Sequence, residues 1–222
     1  VGDSSNFLGG SFMTLATCPA PSALSANSLT FDTAELNWTD NSTATSWEIE
    51  YGPQGFTLGT GTTVVTTTNP DTISGLMGDT PYSWYVRAIC SSSDSSTWTG
   101  PNNFRTPCAP FTPTYSEDFS SYIPNCWSEA KGQLTASTSF TSTTSSFWVA
   151  DGYLNVGTTG SARMNIYSTG RFEWLISPSI DLGTSPNTYR LEFDAGLTDF
   201  SGTGTDNMGP DDTLAVVIST DN

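Results

Sequence analysis

Gly75-Leu76-Met77-Gly78-Asp79-Thr80-Pro81-Tyr82-Ser83-Trp84-Tyr85-Val86-Arg87-Ala88 is the stretch on which the fold turns. Glycine, aspartate and proline break the chain, and an alternating run follows from Tyr82 to Ala88. A strand has a side-chain period of two, so Tyr82, Trp84, Val86 and Ala88 share one face while Ser83, Tyr85 and Arg87 share the other. Of Trp84 and Tyr85, therefore, one faces outward. Similar runs recur upstream. Ala34-Glu35-Leu36-Asn37-Trp38 alternates, and so does Trp47-Glu48-Ile49-Glu50-Tyr51, with Glu48 and Glu50 expected on a solvated face. Further strands are expected near Ser22 to Leu29, Thr62 to Thr68, Asp71 to Leu76 and Asn103 to Thr106. That makes seven short strands between Cys18 and Cys108, the pattern of an all-β sandwich.

Composition agrees. Aromatics reach 12% and hydrophobic residues 36% of 222 residues, too much for a disordered acidic tail. With 22 carboxylates, 6 basic residues and no histidine, the net charge is −16. Such a surface repels nucleic acid and anionic membranes, and no run of 18 apolar residues predicts a membrane-spanning helix. No signal peptide is evident after Val1, so the natural start is expected upstream. Cys18, Cys90, Cys108 and Cys126 lack C-x-x-C spacing, and without histidine a zinc site would need all four sulfurs. An even count in an acidic, Ser/Thr-rich chain points instead to two disulfides and an extracellular or cell-surface location.

Leu36-x-Trp38, together with Gly75-Leu76-x-x-x-Thr80-Pro81-Tyr82-x-x-Tyr85-Val86-Arg87-Ala88, makes residues 18–108 resemble a fibronectin type III domain. The resemblance implies a core role for Trp38 and a corner role for Tyr82, whose hydroxyl would bond upstream backbone. It also implies the cysteine pairing. The first strand begins and the sixth ends at one pole, which joins Cys18 to Cys90 and leaves Cys108 for Cys126. The Cys-Pro-Ala-Pro-Ser start and the Val-Arg-Ala-Ile-Cys end are similar to modules of large secreted, type IX-exported proteins of Bacteroidetes-type bacteria. Within residues 1–17, Asp3-Ser4-Ser5-Asn6-Phe7-Leu8-Gly9 resembles Asp94-Ser95-Ser96-Thr97-Trp98-Thr99-Gly100. That segment is expected to be the last strand of a preceding module, or a linker.

Residues 109–222 are expected to form a second β-sandwich. Its strands are anticipated at Ser146 to Ala150, Gly152 to Val156, Ala162 to Tyr167, Phe172 to Ile176, Tyr189 to Asp194 and Thr213 to Ser219. Trp174-Leu175-Ile176-Ser177-Pro178-x-Ile180-Asp181-Leu182 and Leu191-x-Phe193 resemble MAM-like jelly-roll domains, although Phe119 is followed by Ser120 where that family opens on Phe-Glu. A jelly roll needs about eight strands, so this one is expected to be partial at its C-terminal end.

Chemistry is limited by what the chain lacks. Ser-His-Asp and Cys-His sites are impossible without histidine. Lys131 is the single lysine and lies in a polar turn, far from the burial a catalytic lysine needs. Glu48 and Glu50 are the one tempting carboxylate pair for glycoside hydrolysis, but their position opposite an apolar face marks them as solvated. No catalytic residue is assigned. Calcium takes six to eight oxygens, and Glu117, Asp118, Asp194, Asp206, Asp211 and Asp212 are the candidate ligands for a structural Ca2+. Trp98 and Trp148 are candidates for sugar binding. Asp32-Thr33-Ala34, Asp71-Thr72-Ile73 and Asp212-Thr213-Leu214 resemble Bacteroidetes O-glycosylation sites, which nominates Thr33, Thr72 and Thr213. The resulting expectation is a non-catalytic spacer, adhesion or binding module of a larger secreted protein. Its partners would be adjacent domains of the same polypeptide, polysaccharide or other surface proteins. The alternatives are a carbohydrate-binding appendage of a polysaccharide-degrading enzyme and a fibre subunit completed by strand donation from a neighbour.

Overall fold

A computed structural model of the chain describes residues 18–133, 147–167, 170–184, 187–210 and 212–219. The repeat expected in residues 1–17, Ser146 and Asp211 lie outside the described residues. The chain divides into two compact units, with the boundary between Ala109 and Pro110.

The first unit is a two-sheet antiparallel sandwich. One sheet holds β1 (Ser22–Asn27), β2 (Thr33–Thr39) and β5 (Asp71–Ser74) in the order β1-β2-β5. The other holds β3 (Ser46–Pro53), β4 (Thr62–Thr66), β6 (Pro81–Ser91), β7 (Asp94–Ser95) and β8 (Thr99–Arg105), with β6 paired to β3 on one side and to β7 and β8 on the other. This order is the fibronectin type III arrangement.

The alternation fixes which side chains enter the core. Ala34, Leu36 and Trp38 of β2 are buried against Trp47 and Ile49 of β3 and against Trp84, Val86 and Ala88 of β6. Trp38 stands edge-on to Trp47 at 5.6 Å and to Trp84 at 6.3 Å between ring centroids. Trp84, not Tyr85, faces inward, and its indole N–H reaches Asn102 Oδ1 at 3.1 Å. Trp38 and Trp47 bury their indole N–H groups without a hydrogen-bond acceptor, an arrangement that costs about 1–3 kcal/mol each against the large area these rings remove from water. Tyr82 forms the expected corner, its hydroxyl accepting from the Met77 N–H at 2.9 Å. Cys18 and Cys90 are joined, with Cα atoms 5.8 Å apart and a sequence separation of 72.

The last strand is longer than its sequence indicates. Gly100-Pro101 looks like a strand breaker, yet β8 begins at Thr99. The register shifts between Trp84 and Val86, and this irregularity absorbs both residues. Gly100 has φ +133°, and a Cβ there would stand 2.8 Å from the Trp84 carbonyl oxygen, so only glycine fits the kink.

The second unit is also built from β structure. β9 (Ser128–Lys131) pairs with β12 (Glu173–Ile176), and β10 (Trp148–Asp151) pairs with β11 (Ser161–Met164). Phe111 bridges in parallel to Ile180. Three expected strands differ. Gly152 to Val156 instead forms a 3-10 turn at Tyr153–Asn155, with Leu154 and Asn155 at positive φ. Tyr189 to Asp194 and Thr213 to Ser219 have strand-like sequence but lie in no ladder among the described residues. A β pattern becomes a strand only when a neighbour takes up its backbone groups. The described residues of the second unit therefore form two-stranded ladders rather than an eight-stranded double sheet.

Candidate functional site

The most organised polar surface lies on the outer face of the β4-β3-β6 sheet, where the sequence predicted solvated carboxylates. Glu48 meets that expectation in part, since its side chain is 20% exposed. Arg87, directly across the β3–β6 ladder, donates to Glu48 Oε2 from Nε at 2.8 Å and from Nη2 at 2.5 Å. The Arg87 guanidinium also lies 4.7 Å from the centroid of the Trp98 ring. Trp98 is half-buried, with the cation over its ring. The fork and stack fix all three side chains.

Glu50 departs from the expectation. It is only 2% exposed. The loop between β3 and β4 folds over it, and its Oε1 accepts the Gly59 N–H at 2.7 Å and the Gly61 N–H at 2.8 Å. Beside it, Phe56 packs edge-on against Tyr85 at 5.6 Å, covering the outward ring of β6. Two backbone donors replace the water the carboxylate gave up. Glu50 thus pins a loop and is held away from any substrate. The sequence signal for this was the glycine-rich Gly52–Gly61 stretch, which supplies free N–H groups close to a strand.

The calcium candidates are not brought together. Glu117 is half-buried. Its Oε1 accepts the Phe119 N–H at 2.8 Å, and its Oε2 accepts the Tyr115 hydroxyl at 3.2 Å. Tyr115 in turn accepts the Trp127 indole N–H at 2.8 Å. Burial pushes the Tyr115 phenol above its ordinary range, and the neighbouring Glu117 charge adds to this. Asp118 is exposed, and the Ser120 backbone and side chain hold its carboxyl below the usual range. Asp194 and Asp206 are exposed, and Asp206 accepts the Asn207 N–H at 2.8 Å. Asp212 accepts the Gly209 N–H at 3.1 Å. Among the described residues, no three carboxylates bring ligand oxygens within 4.8 Å of one another.

Trp148 lies half-buried in β10, opposite Met164. Of the modification candidates, Thr72 is exposed on β5 and Thr213 is exposed outside any strand. Thr33 is half-buried, its hydroxyl 2.7 Å from that of Thr30 in the β1–β2 turn. Cys108 and Cys126 are both disulfide-bonded, so the structure holds two disulfides and no free cysteine among the described residues.

No protein-family model matches the chain, and no curated protein matches it. Solved structures do. The fn3 domain of human contactin 1 is 20% identical, over 51% of this chain and 100% of that one, with a TM-score of 0.40. The fn3 domain of human collagen alpha-1(XX) is 20% identical over 46% of this chain and 98% of that one, also at 0.40. The FN5 domain of Drosophila Lar is 19% identical over 40% and 96%, at 0.33. Likeness at this level concerns the fold alone. The sandwich assignment stands on the strand order and register described above.

Proposed function

We propose that this chain is a non-catalytic modular segment of an extracellular or cell-surface protein, serving as a spacer that presents its loops for adhesion or binding. One observation carries the reading. On the sandwich, the carboxylates best placed for chemistry are already committed to structural contacts. Glu50 holds the loop above it, Glu48 is forked by Arg87, and Asp79 is paired with Arg105 at 2.7 Å. A carboxylate bound this way has an oxygen committed to a structural donor, and the chain has no histidine for it to work with. The Cys18–Cys90 bond suits a mechanical role, because it locks a span with a sequence separation of 72 against extension.

Single-molecule pulling from the two termini tests the spacer role. In the oxidised protein, unfolding of the sandwich should release none of the chain between Cys18 and Cys90. Reduction should add roughly 250 Å of contour, at about 3.5 Å per residue. An oxidised protein that already releases the full length, or one that extends at negligible force, would overturn the proposal.

A further inference from the structure

Tyr189-Arg190-Leu191-Glu192-Phe193, in the second unit, has a self-complementary order: aromatic, cation, leucine, anion, aromatic. Its backbone runs without turn or bend and makes no backbone hydrogen bond among the described residues. Tyr189, Leu191 and Phe193 are 41%, 63% and 59% exposed, and an open groove of about 550 Å3 is lined by Leu191, Glu192, Phe193 and Asp194. Arg190 and Glu192, two positions apart and so on one face of an extended chain, pair with each other at 2.8 Å while remaining 79% and 71% exposed.

We propose that this segment is a homodimer contact, in which two copies of the chain join their Tyr189–Phe193 edges as antiparallel strands centred on Leu191. In that register Arg190 of each copy stands opposite Glu192 of the other. Tyr189 stands opposite Phe193, and Leu191 opposite its own counterpart. One face then carries two cross-strand ion pairs and the other three apolar pairs, each of the kind that stabilises antiparallel ladders. The contact is isologous, so it closes at two copies rather than growing into a fibre. Charge order favours a second copy over the other strand-like stretch, Thr213–Ser219, which holds no charge to meet Arg190 or Glu192. The net charge of −16 on each copy opposes association. Its range is only about 8 Å at physiological salt, so dimerisation should strengthen as salt rises from a low level. The contact goes beyond the spacer role and stands without it, since pulling one molecule does not involve the second copy.

The test is oligomeric mass by light scattering on the full chain and its variants. Arg190→Glu places like charges opposite each other twice and should raise the dimer dissociation constant roughly tenfold or more. The double variant Arg190→Glu/Glu192→Arg keeps the order complementary and should restore the dimer. Leu191→Cys should form a disulfide-linked dimer under air, because self-opposed residues have the required Cβ separation, while Glu192→Cys should not. A wild-type chain that stays monomeric at millimolar concentration would overturn the proposal. So would equal cross-linking at both positions, a double variant that stays monomeric, or hydrogen-exchange protection of Tyr189–Phe193 in the monomer.

Discussion

The two units are written in similar Thr-rich, aromatic-rich sequence but bury it very differently. Among the described residues, fourteen of the fifteen buried hydrophobic residues lie in the first unit, and Ala130 is the exception. Of the large hydrophobics left exposed among the described residues, 19 belong to the second unit and 4 to the first. Strand propensity does not separate them, because β12, with Glu173-Trp174-Leu175-Ile176, is as apolar as much of β6. Neighbours do. β6 has β3 on one flank and β7 and β8 on the other, and its inner face meets β2 across the core. Among the described residues, each ladder of the second unit has two strands, a size that is marginal by itself. An apolar face is worth its area only when a second layer covers it.

The largest effect should come from cutting into the covered layer. Trp84 is fully buried, and Trp84→Ala should destabilise the sandwich by about 3–5 kcal/mol. Leu175 of β12 is half-buried, and Leu175→Ala should cost about 1 kcal/mol. Urea titration followed by near-UV circular dichroism measures both. Equal losses would erase the contrast between the units. The Cys18–Cys90 bond comes next. Replacing both residues by serine should lower the stability of the first unit by about 4 kcal/mol in the chain-entropy picture. The melt of the second unit should stay in place, because the bond lies wholly within the first.

How far the sequence carries differs between the units for the same reason. Trp38, Tyr82 and the alternation of β3 and β6 were legible because each signal is local, and the sandwich brings matching strands to all of them. The extent of β8 was not legible, since a bulge that absorbs Gly100-Pro101 shows only in its pairing with β6. Glu50 reads as solvated in the sequence because period two assigns a face but not what covers it. Here the covering is a loop ten residues on. In the second unit, Tyr189–Asp194 and Thr213–Ser219 have the pattern of strands, yet pattern does not supply a partner. Among the described residues the calcium candidates do not converge, and acidic residues in a chain of net charge −16 are dense enough to look clustered in sequence. In the fold, Glu117, Asp118, Asp206 and Asp212 each turn back onto a nearby backbone N–H.

Glu50 offers a finer probe of the covered unit. Glu50→Ala leaves the Gly59 and Gly61 N–H groups without their acceptor and should cost about 2–3 kcal/mol. Glu50→Gln keeps an oxygen in place but removes the charge, and should cost about 1 kcal/mol. Amide exchange at Gly59 and Gly61 should speed up in both variants, more in the first. Unchanged exchange would mean that the loop holds its position without the carboxylate.

The smallest expected effect lies at high pH, and it sets one tyrosine in each unit against the other. Burial raises the Tyr51 phenol above its ordinary 10.0, with Tyr82 adding to the shift. Burial likewise raises Tyr115, with Glu117 adding and the Trp127 indole opposing. A phenol ionises from neutral to negative. With the folded value raised, the unfolded chain loses its proton first as pH climbs past 10.0. Stability linked to each tyrosine is therefore complete below that pH and is lost as pH rises through the folded value. Tyr51→Phe should flatten the alkaline limb of the first unit alone, and Tyr115→Phe that of the second alone, as followed by unit-specific amide exchange between pH 9 and 12, roughly the window of phenol ionisation. Tyr115 also accepts the Trp127 N–H, so Tyr115→Phe should lower the stability of the second unit at neutral pH as well. A Tyr51→Phe protein whose alkaline limb is as steep as that of the parent would show that the margin of the core where Tyr51 packs is wetter than its packing implies.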